Sequence, residues 1–144
     1  MPRVSRMGST GPERLATLER VLVVLIALHS LAVGLFLTLA TEWGARFGGF
    51  PSPVPLFFPR QAGAFHFVVA AIYLVEYFRY RGVGLLVMTK SIAVVFLFLT
   101  ALLESVPWVV PLSGIGDGLM AGAVVLFRRA RGLPLLGPLP DGRP

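Results

Sequence analysis

The chain contains no cysteine and few charged residues. Without cysteine it has no disulfide framework, thiolate zinc site, iron–sulfur cluster or catalytic thiol. Charged side chains make up 14% of its 144 residues, and only 7 residues are Asp or Glu. The HExxH, P-loop, G-x-S-x-G and paired-carboxylate patterns are also missing. Hydrolase, kinase and thiol chemistry therefore have no residues to act through, and we expect no enzymatic activity.

Apolar residues dominate what is present. Hydrophobic residues make up 56% of the chain and the mean hydropathy is +0.80, which is the range of membrane proteins. The net charge of +6 would favour nucleic-acid binding in a soluble protein. Here the basic residues lie between apolar segments, which is typical of membrane topology signals. We therefore expect the lipid bilayer, and no nucleic acid, as the partner.

Four apolar stretches are long enough to cross a hydrocarbon core of about 30 Å, which takes about 20 helical residues. They predict an all-α fold, an integral membrane four-helix bundle within residues 12–128. The expected helices cover about 12–40, 62–80, 82–104 and 108–128. An outer loop rich in Pro and Phe is expected at 42–61, because its prolines exclude a continuous helix. Residues 1–11 and the Pro/Gly-rich residues 129–144 are predicted to be flexible tails.

Arginines predict the orientation of these helices. Ten of them flank the same side of the four spans, whereas the loops on the opposite side hold only Arg46 and Arg60. The ten are Arg3, Arg6, Arg14, Arg20, Arg79, Arg81, Arg128, Arg129, Arg131 and Arg143. By the positive-inside rule both termini are cytoplasmic. We expect a multi-pass protein of the cytoplasmic (inner) membrane.

A lysine interrupts the apolar run "LLVMTKSIAVVFL" in the third predicted span. Lys90 follows Arg81 by nine residues, which places it about 13 Å into the membrane by the helical rise. An unpaired charge at the centre of a bilayer costs at least ~2.5 to 3.5 kcal/mol on insertion scales. Such a side chain usually faces the protein interior and has a partner. The sequence therefore predicts a partner for Lys90 on another helix.

Other ionisable residues lie at a similar depth. Measured from the arginines on the same side, Asp117 and His29 are about 13 to 17 Å deep, and His66 is ~6 Å further out. The neighbouring hydroxyl side chains are Ser30, Thr89 and Ser91. We predict a Lys90–Asp117 ion pair between the last two spans, within a buried polar layer that includes His29 and His66. The layer either fixes the helix register or is a working site.

Two further patterns concern the second and fourth spans. Gly114, Gly118 and Gly122 recur every four residues, and we expect this flat stripe to serve helix packing. Glu76 lies within one turn of Arg79, and a local ion pair is expected there.

The two histidines raise the question of a cofactor. Ala62 precedes His66 by four residues and would let a flat macrocycle approach the helix. The ~6 Å difference in depth between His29 and His66 fits poorly with two axial ligands of one haem. We expect no cofactor and no metal site, with haem or quinone as the alternatives.

The sequence also resembles a known family. "RQAG" at residues 60–63, Lys90, and the adjacent Gly116 and Asp117 are similar to features of the small bacterial four-helix membrane proteins grouped as DoxX-like. The resemblance covers about residues 20–128 and implies the architecture rather than the activity. The family name comes from association with a quinone-linked oxidoreductase, a role that does not extend to its members generally.

Three functions are compatible with these features. The first is a non-enzymatic or accessory membrane subunit, in a larger membrane complex or a homo-oligomer, whose polar layer serves assembly. The second is a small transporter or proton-conducting protein that uses the layer. The third is a redox-associated subunit that binds quinone or haem near His66 and the stripe of Gly114, Gly118 and Gly122. A water-accessible cavity at Lys90 would favour transport, and a flat slot beside His66 would favour a cofactor. A polar layer that is packed without a cavity would favour the structural role.

Overall fold

The computed structural model describes residues 11–51 and 55–137. Within these ranges it contains helices and no strand. The helices are α1 (Gly11–Leu39), α2 (Thr41–Phe47), α3 (Phe57–Arg79), α4 (Gly84–Leu103) and α5 (Val109–Ala130). All but α2 are long and apolar enough to cross a membrane. The all-α class and the four long apolar helices are thus confirmed.

Three of the four long helices begin and end within two residues of their predicted bounds. The exception is α3, which begins at Phe57 rather than near residue 62. Its first turn accommodates Pro59, because a residue there needs no backbone N–H for an intrahelical hydrogen bond. The region predicted as the loop 42–61 also contains most of the short helix α2, which ends at Phe47 and is followed by Gly48 and Gly49. Pro51 and Pro55 lie in the remaining non-helical stretch, of which 52–54 are outside the described residues.

The long helices pack as two pairs. Contacts are most extensive between α1 and α3 and between α4 and α5, and fewer between the pairs. The first pair meets at Gly34 and Gly63, where a Cβ on either residue would lie within 2.9 Å of the other's carbonyl oxygen. Glycine is required on both helices because their backbones touch at this crossing.

The buried core lies toward one end of the molecule. We call the end at which α1 begins and α5 ends the terminal end, and the opposite one the far end. The core cluster draws on α1, α3, α5 and the start of α4: Val23, Ile26, Ala27, Tyr73, Tyr77, Val83, Leu86 and Val124. Large apolar side chains outside this cluster are widely exposed, which is the surface expected of helices that face lipid.

The segment after α5 differs from the predicted free tail. The helix continues to Ala130, and the carbonyl oxygen of Leu135 accepts a hydrogen bond of 2.7 Å from the Val83 N–H. Leu136 packs so closely on Gly84 that a Cβ there would clash. Pro and Gly predict a non-helical backbone, but they do not prevent the intervening leucines from docking. Residues 131–137 therefore pack against the α3–α4 turn; the rest of the predicted tails, 1–10 and 138–144, lies outside the described residues.

Candidate functional site

The ion pair predicted between the last two spans is present. Lys90 Nζ lies 2.5 Å from Asp117 Oδ1 and donates a hydrogen bond to it, which joins α4 to α5. The Lys90 residue is 4% exposed. It shares its face of α4 with Leu86, one turn earlier, and these two are the buried residues of that helix. The single cation of this apolar helix is thus directed inward onto a carboxylate.

His66 belongs to the surroundings of this pair. It is half-buried on α3, and its Nδ1 atom is buried without a hydrogen-bond partner. Lys90, Asp117 and His29 are near enough for their charges to act on His66. The structure therefore places His66 near the Lys90–Asp117 pair.

His29 nevertheless does not have the predicted buried position. It is exposed on the outer surface of α1, whereas its neighbour Ser30 is buried. Depth along a helix follows from residue number, but the facing direction turns by about 100° per residue. The inward stripe of α1 consists of Glu19, Val23, Ile26, Ala27, Ser30 and Gly34. At the level of Lys90, α1 therefore directs the hydroxyl of Ser30, and not the imidazole of His29, into the interior.

Ser30 and the ion pair lie at the same level of the molecule. Ser30 follows Glu19 by eleven residues on α1, and Asp117 precedes Arg128 by eleven residues on α5. Because Glu19 and Arg128 are in contact, both residues lie about 17 Å from that contact by the helical rise. Polar groups from α1, α3, α4 and α5 thus converge at the level of Lys90.

Two polar atoms near this level, Ser30 Oγ and His66 Nδ1, are buried and have no hydrogen-bond partner among the described residues. The Tyr73 hydroxyl is also buried, and Thr89, the residue before Lys90, lies within hydrogen-bonding reach of it. Buried polar groups are rarely left without a partner in protein or ordered water, so these atoms mark the polar part of the interior.

A second charged network lies at the terminal end and was missed by the sequence reasoning. Glu19 on α1 is completely buried. Its Oε1 lies 3.1 Å from Arg128 Nε, and its Oε2 accepts a hydrogen bond of 2.7 Å from Arg131 Nη1. The sequence had indicated only a topological role for these arginines. The available signal was the acid itself, four residues before Val23 on the inward stripe of α1.

Arg128 connects this network to the α3–α4 turn. Its Nη2 donates a hydrogen bond of 2.8 Å to the Arg81 carbonyl oxygen. Its guanidinium lies over the Tyr77 ring, 5.9 Å from the centroid, in the range of a cation–π contact. Arg81 has a φ of 57°, a left-handed conformation that residues other than glycine seldom adopt. Arg128 therefore binds a carboxylate of α1, a ring of α3 and the backbone that leads into α4.

Glu76 does not form the local ion pair that was predicted for it with Arg79. Its carboxylate instead accepts hydrogen bonds from the backbone N–H of Leu85, at 2.9 and 3.0 Å, and of Leu86, at 3.3 Å. These N–H groups are free because they lie in the first turn of α4, where the helix dipole also favours a negative charge. The unpaired N–H groups at a buried helix end therefore bind the carboxylate in preference to the exposed guanidinium of Arg79.

The glycine stripe of α5 packs α4 along only part of its length. A Cβ at Gly114 would lie 3.2 Å from the Phe98 ring, and one at Gly118 would lie 3.7 Å from Val94. Nothing lies within 4 Å of a Cβ at Gly122. The predicted packing role therefore fits Gly114, whereas Gly118 and Gly122 border an open groove of about 600 Å³ between the two helices.

A second pocket, of about 210 Å³, lies at the far end between α1, α2 and the start of α3. Neither this pocket nor the groove between α4 and α5 is lined by Lys90 or Asp117. Among the described residues there is no cluster of three or more His, Cys, Asp or Glu that could hold a metal ion. The polar layer is thus an interior feature of the molecule, and the grooves are separate from it.

Comparison of this chain with protein-family models, with curated proteins and with solved structures gives no match.

Proposed function

We propose that this chain is a small multi-pass membrane protein without catalytic activity of its own, an accessory subunit in which the Lys90–Asp117 pair fixes α4 against α5. The observation that carries the proposal is that the two charges of the pair contact each other and that Lys90 is buried. Lys90 is buried and in direct contact with its counterion at 2.5 Å. A buried charge with its partner in place serves register and assembly, which is the best-attested use of such pairs.

The proposed location is the cytoplasmic membrane, with both termini in the cytoplasm. Four helices of suitable length and apolarity support it, as does the exposure of their large side chains. Exposed arginines at the terminal end support the orientation by the positive-inside rule. The proposed DoxX-like architecture agrees with this arrangement, and the partner would be a larger membrane complex or a second copy.

Paired substitutions test the role of the ion pair. Lys90→Met and Asp117→Leu should each lower the free energy of unfolding by about 3 to 5 kcal/mol, because each leaves an uncompensated buried charge. The double variant should recover most of this loss. The measurement is thermal unfolding in mild detergent, with Ser91→Ala, an exposed hydroxyl next to Lys90, as the control.

Stability alone does not establish an accessory role, so the same proteins are compared for bound partners. A structural pair predicts that the stable double variant, purified in mild detergent from its native membrane, retains the proteins that copurify with the wild type. A double variant that is as stable as the wild type but loses its partners would show that the charges themselves are used.

A second candidate, proton conduction, is favoured by the unpartnered atoms of the layer. Ser30 Oγ and His66 Nδ1 could bind water beside the charged pair. This function requires water to reach Lys90 from one side of the membrane. Chemical access to the lysine amine therefore distinguishes the two candidates.

A further inference from the structure

The groove between α4 and α5 is apolar and open to the outside of the molecule. Its volume is about 600 Å³, and Ser91 is its one polar side chain. The lining residues are Val87, Ser91, Val94, Val95, Gly118, Ala121, Gly122, Val125 and Leu126. Because Gly118 and Gly122 have no side chains, α5 leaves a channel alongside α4 rather than filling it.

A cation lies on the line of this groove at the terminal end. Gly118, Gly122, Val125 and Arg129 recur at spacings of four, three and four, so they share one face of α5. Arg129 follows Gly118 by eleven residues, about 17 Å along the helix axis. The groove therefore leads from the interior level of the helices to an arginine near the end of α5.

Arg129 differs from the other arginines at this end of α5. Arg128 and Arg131 point inward and bind Glu19. Arg129 is exposed, and its side chain has no hydrogen-bond or ion-pair partner among the described residues. A free guanidinium at the mouth of an apolar groove is complementary to an amphiphile with an anionic head.

We propose that this groove binds an anionic phospholipid, with one acyl chain along Gly118–Leu126 and the phosphate at Arg129. The inference rests on the membrane location proposed above. The distance of about 17 Å from Gly118 to Arg129 is roughly half of a ~30 Å hydrocarbon core, which matches the depth of one leaflet. The guanidinium can bind the phosphate of any phospholipid through paired hydrogen bonds. Its preference for an anionic lipid comes from net charge, because the choline of a zwitterionic lipid compensates the phosphate.

The test compares two lipids that differ only in headgroup. The purified chain is titrated with dioleoylphosphatidylglycerol or dioleoylphosphatidylcholine, and retained lipid is counted by native mass spectrometry. The wild type should retain the anionic lipid with a preference of about fivefold, the effect of one arginine near a charged surface. Arg129→Gln should lose this preference, and Arg129→Lys should keep most of it. Arg79→Gln is the matched control, since Arg79 is exposed in the last turn of α3 at the same end.

The acyl-chain part of the site is tested separately. Gly122→Leu places a side chain in the groove where no protein atom lies within 4 Å of the new Cβ. It should lower retention of both lipids severalfold while leaving helicity and thermal unfolding unchanged. Glycerophosphoglycerol, which carries the headgroup without acyl chains, should not compete.

Several outcomes overturn the proposal. These are an unchanged preference in Arg129→Gln, an equal loss in Arg79→Gln, or full lipid retention in Gly122→Leu. A dimer that Gly122→Leu disrupts, with no effect on lipid, would assign the groove to a second copy of the chain. If the protein inserts equally well into vesicles of the anionic and of the zwitterionic lipid, this lipid site is refuted but the membrane location is not. If it associates with neither kind of vesicle, the membrane location is refuted as well.

Discussion

At the scale of single residues, the burial of Lys90 has a direct chemical consequence. It is the only lysine of the chain, so an amine-specific reagent has no targets other than Lys90 and the terminal amine. Because the ammonium is buried and bound to Asp117, we expect the folded protein to be labelled at its terminus alone. Intact-mass and peptide mass spectrometry measure this, with detergent-unfolded protein as the control that labels both amines.

The same experiment separates the two proposed functions. Protection of Lys90 from a small water-soluble reagent over hours agrees with a structural pair. Rapid labelling of Lys90 in the folded protein would reveal a water path to the layer and would favour proton conduction. Asp117→Asn should increase labelling only if loss of the carboxylate opens the packing around the lysine.

At the scale of helices, the first turn of α4 depends on a side chain from α3. The Glu76 carboxylate accepts hydrogen bonds from the N–H groups of Leu85 and Leu86. We expect Glu76→Ala to lower the free energy of unfolding by about 1 to 2 kcal/mol, the upper range for loss of a helix cap. Glu76→Gln should lose less, since its amide oxygen still accepts one bond. Thermal unfolding in mild detergent is the measurement.

Glu104 is the matched control for this prediction. It is an exposed glutamate at the opposite end of α4 and has no side-chain hydrogen bond or ion pair among the described residues. Glu104→Ala should change the free energy of unfolding by less than about 0.5 kcal/mol, as is usual at exposed positions. Equal effects of the two substitutions would mean that Glu76 contributes no more than an exposed charge.

Length and depth were predictable from the sequence at this scale, because both follow from helical geometry. Apolar stretches of about 20 residues predict helices of membrane length, and residue spacing places Lys90 and Asp117 level with each other. The pairing then follows from the cost of an isolated charge. These steps need no knowledge of which way a helix faces.

Direction and capping were not predictable in the same way. The apolar residues surround every long helix, so the sequence carries little indication of which face turns inward. His29 was therefore assigned to the interior along with Ser30, although Ser30 is buried and His29 is exposed. Glu76 was paired by nearness in sequence, whereas its true partners are N–H groups that become available only once α3 and α4 meet. Glu19 escaped notice because its arginines are more than a hundred residues away.

At the scale of the whole molecule, polar contacts join the two helix pairs at the terminal end, whereas at the far end the Phe47 ring meets the Trp108 ring at the start of α5. At the terminal end, Glu19 binds Arg128 and Arg131, Glu76 caps α4, and Leu135 bonds to the backbone of Val83. Beyond Lys90, α4 has no buried residue through its end at Leu103. The charged network at Glu19 is therefore expected to control how the α1–α3 pair is held against the α4–α5 pair.

Glu19→Gln tests this control. The substitution leaves two arginines near a neutral amide, and it should lower the free energy of unfolding by about 3 to 5 kcal/mol, the cost of breaking a buried ion pair. Because the chain has no cysteine, two introduced cysteines would be its only thiols and would carry the spin labels at chosen sites. Labels at Leu39 and Leu102, exposed at the far ends of α1 and α4, should show a broader distance distribution in the variant. Labels at Leu102 and Leu112, within the α4–α5 pair, should keep the distance distribution of the wild type, since Lys90 and Asp117 still hold that pair. If the distributions of both label pairs broaden, Glu19 stabilises the whole fold rather than the junction between the helix pairs.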